Sequence, residues 1–382
     1  MHTLEELRVK QALPLSIKIR MTQERIMTWY HLHGGSVYLS FSGGKDSTVL
    51  KSIVDDMGLN IPSVFVDTGL EYPEVRSFAM SQPGVTVLKP EMNFKKVIET
   101  YGYPAVSKEV AQIVREAKIG LERNDGSYQY RILKLKGELR DKNGKLSKFN
   151  KKKWGFLLDA PFKVSEQCCD VMKKRPVKKY EHETGRVPII GTMAVESAMR
   201  TQRWLRYGCN AFDAKRPSSN PLSFWTENDI LLYLVLKQLR YASVYGQIKC
   251  KFADQVIPPH SVRRIMEVHP ELERDMEFYL TGVPRTGCMF CMFGCHLEKA
   301  PNRFQRMQDT HPNQWRFCMK PTSEGGLGER EVLEYLGVPW QKEEPRLKPL
   351  YGIDCRNGAL MVEHTATLQA VCGKSLNGGG QL

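Results

Sequence analysis

The stretch "YLSFSGGKDSTVL", residues 38–50, decides how the rest of the chain is read. A short β-rich run, 35–41, leads into Ser42-Gly43-Gly44-Lys45, and a helix-period run follows. Val49, Leu50, Ile53, Val54 and Met57 recur at the spacing of one helix face, and Gly58 stops the pattern. The spacing therefore predicts a strand feeding a helix through a glycine turn. The first backbone amides of such a helix have no internal partner and carry the positive end of its dipole. An anion fits there, and phosphate fits best. Glycines let the backbone approach the anion, which a Cβ would obstruct. Ser40, Ser42 and Ser47 add hydroxyls, and Lys45 adds a point charge. Asp46 would repel phosphate by itself, so it is read as a holder of Mg²⁺ or as a helix cap. The Walker loop is a different motif: it needs a glycine at position 39, where this chain has leucine.

Outward from this stretch, "IPSVFVDTG" (61–69) reads as a buried strand, "EYPEVRSFAM" (71–80) as a helix, "GVTVLKP" (84–90) as a strand and "NFKKVIETYG" (93–102) as a helix. Strands alternating with helices predict an α/β fold, a doubly wound parallel sheet covered on both faces. Residues 3–33 read as helical with a break near Pro14, giving an N-terminal helical segment over 1–34. "RILKLKGELRDKNGKLSKFNKKKW" (131–154) alternates and carries an Asn-Gly turn at 143–144, so it reads as an inserted basic hairpin within a 130–154 insertion. Strand and helix resume at 186–208, and "TENDILLYLVLKQL" (226–239) reads as a helix with Thr226 as cap and Asp229 in the first turn. Residues 297–382 form a C-terminal extension in which "GEREVLEYLGV" (328–338) is one amphipathic helix and "NGGGQL" a flexible tail.

The chain has 382 residues and a net charge of +14. No window approaches eighteen consecutive apolar residues, and the start is not a signal peptide, so a cytoplasmic protein without membrane contact is expected. The positive charge favours a polyanionic partner without naming one. Ten cysteines in such a chain are not expected to pair as disulfides. Their clustering, Cys168-Cys169 and then Cys288, Cys291 and Cys295, points toward metal.

Several ordered segments carry a resemblance. Ser-Gly-Gly-Lys-Asp-Ser after a strand resembles the pyrophosphate-binding loop (PP-loop) of N-type ATP pyrophosphatases, which cleave ATP between the α and β phosphates and adenylate a substrate. "VFVDTGLEYPEV" (64–75) resembles the Asp-Thr-Gly segment of phosphoadenosine phosphosulfate (PAPS) reductase-like proteins. "RPSSNPLSFWTENDILLYL" (216–234) and "GTMAVESAMRTQRW" (191–204) resemble two further segments of that family. The resemblance covers roughly 35–296 and implies an adenine nucleotide alpha-hydrolase-like domain over that range. It also implies that Asp67, Thr68 and Gly69 line a nucleotide pocket, and that Ser197, Arg200 and Arg203 face the phosphates or the substrate. Lys45, Asp46 and Arg200 are the catalytic candidates. Trp225 is read as packing.

"CCDVMKKRPV" (168–177) and "TGCMFC" (286–291) resemble the two halves of the cysteine set that binds a 4Fe–4S cubane in assimilatory adenylylsulfate reductases. The resemblance implies ligation by Cys168, Cys169, Cys288 and Cys291, with Cys295 in reserve as a ligand or a sulfur carrier. Adjacent cysteines splay around a cluster where the local helix is slightly distorted. Lys173, Lys174 and Arg175 would help hold its negative charge. Zinc on Cys288, Cys291, Cys295 and a fourth ligand is a competing reading. The gap from Cys169 to Cys288 is long and suggests an insertion such as 240–280.

Two chemistries remain open. Reductases of the family receive a ready-made adenylyl sulfate (PAPS or APS), and their loop usually departs from Ser-Gly-Gly-Lys-Asp-Ser. They also use a cysteine in a Glu-Cys-Gly-Leu/Ile-His run, whereas "AVCGKSLNGGGQL" here lacks the glutamate and histidine around Cys372. The complete loop favours ATP as substrate and Mg²⁺ as its companion. A PP-loop, a cluster and a basic insertion together resemble the DNA-phosphorothioation enzyme and cluster-bearing tRNA thiolases of the superfamily. That resemblance implies a DNA or tRNA acceptor and a sulfur-donor protein such as a cysteine desulfurase. The reductase reading implies thioredoxin instead. A nucleotide-binding partner subunit without turnover is a third reading, and the intact loop weighs against it.

Overall fold

The computed structural model describes residues 2–342, and Met1–Trp340 form one compact unit. Cys355, Cys372 and the C-terminal tail lie outside the described residues. Helices α1 (Leu4–Gln11) and α2 (Leu15–Leu32) are separated at Pro14. There follow β1 (Val37–Ser40), α3 (Lys45–Asp56), β2 (Ser63–Val66), α4 (Pro73–Ser81), β3 (Val85–Leu88), α5 (Phe94–Tyr101), α6 (Lys108–Arg123) and α7 (Gln129–Lys136). The chain continues through α8 (Arg175–Thr184), β4 (Val187–Ile190), α9 (Ala198–Tyr207), β5 (Asn210–Ala211), β6 (Ser218–Ser219) and α10 (Glu227–Leu236). A small antiparallel sheet then forms from β7 (Ile248–Phe252), β8 (Gln255–Ile257) and β9 (Glu277–Leu280), with α11 (Pro259–Val268) between the last two. Helices α12 (Arg303–Thr310), α13 (Pro312–Met319) and α14 (Glu329–Tyr335) complete the unit.

The main sheet has the order β3-β2-β1-β4-β6-β5, parallel except for the short β5–β6 pair. The doubly wound reading therefore holds. From β1 the chain winds outward one way through β2 and β3, and it returns to the other side of β1 as β4. This reversal leaves a crevice beyond the carboxyl ends of β1 and β4, where ligands of open α/β sheets bind. Val37, Leu39, Val49, Leu50, Ile53 and Val54 sit in one apolar core with Trp29, Ile189 and Trp225. That core fixes the strand-to-helix junction from both sides.

The inserted hairpin is narrower than its sequence suggests. Residues 129–136 are helix α7, not strand, and the two-stranded part is one bridge, Arg140↔Leu146, around Asn143-Gly144. The alternating "RILKLK" also satisfies a helical spacing, with Ile132 and Leu135 buried together. Gly137, left-handed at φ 81°, ends the helix. Within 240–280, where an insertion was expected, residues 248–280 are the small sheet with α11.

Candidate functional site: a phosphate loop and a cysteine-lined cavity

β1 delivers Ser40 to the crevice, and α3 opens at Lys45 with Gly44 as its N-cap. Gly43 has φ 72°, and a Cβ there would lie 2.8 Å from both the Ala79 Cβ and the Val75 carbonyl oxygen, so no other residue fits. Hydroxyls stitch the loop: the Ser42 and Ser47 oxygens are 3.0 Å apart, the Ser42 amide donates to Ser47 Oγ at 3.2 Å, and Gly44 N donates to Ser42 Oγ at 3.3 Å. The Lys45 amide, first of the helix, donates to the Tyr245 hydroxyl at 3.2 Å. That hydroxyl is 2.7 Å from Thr286 Oγ1. The Lys45 side chain is only 3% exposed, and its ammonium lies 3.2 Å from both Asp46 Oδ1 and Glu227 Oε1. Burial pulls this ammonium's pKa down, but Asp46 and Glu227 outweigh it and leave the pKa above the usual lysine value. Burial raises the Glu227 carboxyl against the pull of Lys45.

The remaining predicted nucleotide residues are engaged in different ways. Asp67, at the end of β2, accepts a two-pronged pair from Arg76 at 2.7 and 2.8 Å, which holds its carboxyl below the usual range. Thr68 donates its hydroxyl to Glu71 at 2.8 Å, and Gly69 turns the chain at φ 72°. These three residues therefore build the turn that places Glu71. Ser197 caps α9, accepting from the Arg200 amide at 3.3 Å. Arg200 pairs with Glu196, which Arg285 also contacts at 2.6 Å. Burial and the neighbouring Arg285 lower the Arg200 pKa, while Asp46 raises it, so Arg200 shares the electrostatic environment of the loop. Arg203 instead donates to Ser218 Oγ at 2.6 Å. A cavity of about 180 Å³ opens beside the loop, lined by Ser40, Ser42, Val66, Glu71, Lys173 and Thr286 among others.

Tyr245, Thr286, Glu227 and Glu71 were not identifiable from the sequence. Tyr245 and Thr286 flank the small sheet and meet because Gly246 and Gly282 pinch its base. A Cβ on Gly282 would come within 2.6 Å of the Tyr245 carbonyl carbon. The two glycines were the available signal, but nothing in a single sequence pairs them.

Cys168 and Cys169 precede a π-helical turn, Asp170–Lys174, which runs directly into α8. The helix is thus distorted directly after the two cysteines, and π turns recur at functional sites. Cys168, Cys169, Cys288 and Cys291 line one small cavity with Leu70, Phe94, Pro104, Met172, Phe290 and Lys173. The Cys168 and Cys169 sulfurs are 4.0 Å apart. Among the described residues, no three His, Cys, Asp or Glu side chains converge as a site for a single ion. The four thiols are set around the wall of a mostly apolar void of about 20 Å³. Four thiolates are the donor type of a 4Fe–4S cluster, but the void as it stands is far smaller than that group. The hydrogen bond from Cys168, then Lys108 and Lys173, pulls the Cys169 thiol below the usual thiol range, and Cys168 is pushed up in return. Burial raises Cys288, and raises Cys291 to about 11. Cys295 lies elsewhere, in a cavity with Lys153, Trp154 and His296. Lys173 lines both the cysteine cavity and the crevice cavity, and its ammonium is 3.6 Å from Glu71.

The family model of the phosphoadenosine phosphosulfate reductase domain matches residues 36–119 and 121–293. A solved structure similar to this chain is the PAPS reductase from Candida auris in its phosphate complex. The identity is 14%, the match covers 64% of this chain and 91% of that one, and the TM-score is 0.33. No curated protein matches this chain. The family match runs from the residue before β1 to two residues past Cys291, taking in the Ser42–Ser47 loop, the crevice and the four cavity cysteines, and the chain belongs to the phosphoadenosine phosphosulfate reductase domain family.

Proposed function

We propose that the chain is an ATP-dependent adenylating enzyme that supports sulfur transfer, converting ATP to AMP and pyrophosphate. The observation that carries this reading is the complete Ser42–Ser47 loop at the mouth of α3, with the Lys45 ammonium buried at its head. A ready-made adenylyl sulfate has no pyrophosphate to release and needs no such cradle. In the proposed reaction an acceptor oxygen attacks the α-phosphorus of ATP. The α–β bridging bond breaks, and its electrons leave on pyrophosphate. Lys45 and the first amides of α3 hold that growing charge. Asp46, with Glu227 beside it, would hold Mg²⁺, which neutralises phosphate charge when bound. Arg200, close enough to feel Asp46, orients the α-phosphate. A sulfur nucleophile then displaces AMP from the adenylated acceptor, forming a bond from the acceptor to sulfur as the bond to the adenylate oxygen breaks. Cys168, Cys169, Cys288 and Cys291 would hold a 4Fe–4S cluster, whose chemistry is to bind or relay sulfur. Lys173, which faces both cavities, keeps negative charge in register between them.

The family match favours a second reading, reduction of PAPS or adenylyl sulfate with thioredoxin. The two separate in one assay on anaerobically purified protein. The adenylation reading expects AMP and pyrophosphate from ATP once acceptor and sulfur donor are supplied, with loss on Lys45→Ala. Sulfite from PAPS or adenylyl sulfate with thioredoxin, dependent on Cys372, would establish the reductase. ATP binding without product in either assay would leave a nucleotide-binding subunit.

A further inference from the structure

Nine of the ten cations of residues 131–153 fall into two sets, and the tenth, Arg140, donates to the Gly144 carbonyl at 2.7 Å. One set is turned inward and paired. Arg131 Nε is 2.7 Å from Glu116, and Lys134 and Lys151 lie 3.1 and 3.3 Å from Glu109. The other set, Lys136, Lys142, Lys145, Lys148, Lys152 and Lys153, is exposed. None of these six makes an ion pair within 4 Å among the described residues. Glu138 and Asp141 are the acids nearest in sequence, and the Asp141 carboxylate is already taken by the amides of Asn143 and Lys145 at 2.8 and 3.0 Å. The insertion thus spends its few carboxylate contacts on anchoring itself and leaves a stripe of unneutralised charge facing solvent.

Two large apolar side chains stand among those lysines, Leu146 at 62% and Phe149 at 60% exposed, and Tyr130, 53% exposed, lies just ahead of them. Such exposure contributes nothing to folding. The rings carry cations over their faces: Lys148 Nζ is 5.5 Å from the Phe149 centroid, Arg131 is 5.7 Å from that of Tyr130, and Lys153 is 5.0 Å from that of Trp154. Unpaired lysines around an exposed ring, Phe149, with the half-buried Trp154 at their end, match a partner that carries phosphates and flat apolar faces together, as single-stranded nucleic acid does. A duplex hides its bases from such rings. The stripe also ends in a telling place. The Trp154 ring meets the His296 ring edge-on at 5.0 Å, next to Cys295 and close behind Cys291 in the chain. The charged face therefore borders the segment that supplies half of the cysteine cavity.

We propose that the outward face of residues 136–153 binds single-stranded nucleic acid, and that this strand is the acceptor of the adenylation reading on which this inference rests. The test is fluorescence anisotropy of the full chain with a labelled single-stranded RNA and DNA 20-mer, the matching duplex, and phosphatidylserine-containing vesicles, each over a salt series. The expected result is single-strand binding tighter than duplex binding. In the K142Q/K145Q/K148Q variant the slope of log affinity against log salt should become shallower by about 0.7 per lysine removed, roughly two in all. Phe149→Ala should weaken single-strand binding by about tenfold while leaving the salt slope in place. An unchanged slope in the triple variant, equal affinity for duplex, or preferential binding to vesicles would overturn the proposal. Calorimetric ATP binding is the separate readout. Its absence from wild-type protein would refute adenylation, whereas the surface stands or falls on the anisotropy alone.

Discussion

Lys45 sits where two demands meet. In the proposed reaction its ammonium must be available to phosphate, yet it is nearly sealed from water and held between Asp46 and Glu227. The Lys45 amide, which would face the same phosphate, is engaged by the Tyr245 hydroxyl. A bound polyphosphate must therefore replace protein contacts that imitate it, and each replaced hydrogen bond is worth about 1 kcal/mol. Tyr245→Phe removes the internal competitor without emptying the packing around the ring. Pyrophosphate affinity, measured by competition against a fluorescent nucleotide, is expected to rise about fivefold. A fall would mean that the hydroxyl is itself a phosphate ligand. The loop was readable from sequence because its whole logic is local: a strand, two glycines, a lysine and a helix in one run of residues. Tyr245 and Thr286 were not readable, since they reach the loop only through the fold of a distant sheet. Asp67 was read as lining the pocket, and the structure shows its carboxylate taken up by Arg76.

The elements around the loop are held in place by a contact between distant parts of the chain. Lys18 of α2 is 1% exposed and places its ammonium 2.8 and 2.7 Å from the two carboxylate oxygens of Asp229, while also donating to the Gln11 carbonyl. Asp229 closes the capping box of α10 with Thr226. The pair thus ties the N-terminal helices to the helix that carries Glu227. Lys18→Ala leaves a buried carboxylate without its cation and should cost about 3–5 kcal/mol in urea unfolding. A loss under about 1 kcal/mol would show that the pair is not structural. Periodicity identified α3, α10 and the main strands because each buries one face or both. It failed at α7, where alternate residues of "RILKLK" suit a strand, while Ile132 and Leu135 equally suit a helix turn. Ion pairs with Glu116 and Glu109, far earlier in the chain, favour the helix, and local pattern holds no trace of them.

The described unit has two large apolar cores, one around β1, α3 and α10, and one joining α6, the cysteine segments and α12 to α14. Glu329, fully buried in the second, accepts from the Cys318 thiol at 2.7 Å, and its other oxygen has no partner. Complete burial raises its pKa to about 8. The unfolded chain releases that proton near the ordinary value of about 4.3. Between these values the unfolded state binds fewer protons, so this group's contribution is full at low pH and is lost as pH rises toward 8. Glu329→Gln should flatten the decline of the urea midpoint between pH 5 and 8, and an unaltered slope would contradict the assignment. The crevice cavity is lined by Phe41, Phe65 and Val75 of two smaller apolar clusters and the cysteine cavity lies in the second core, and the central claim concerns the crevice. The most direct test is calorimetric titration of Mg·ATP into wild-type and Lys45→Ala protein whose folds are matched by circular dichroism. The account predicts saturable binding to the wild-type protein and a loss of at least about tenfold, or 1.4 kcal/mol, in the variant; equal affinities would contradict it.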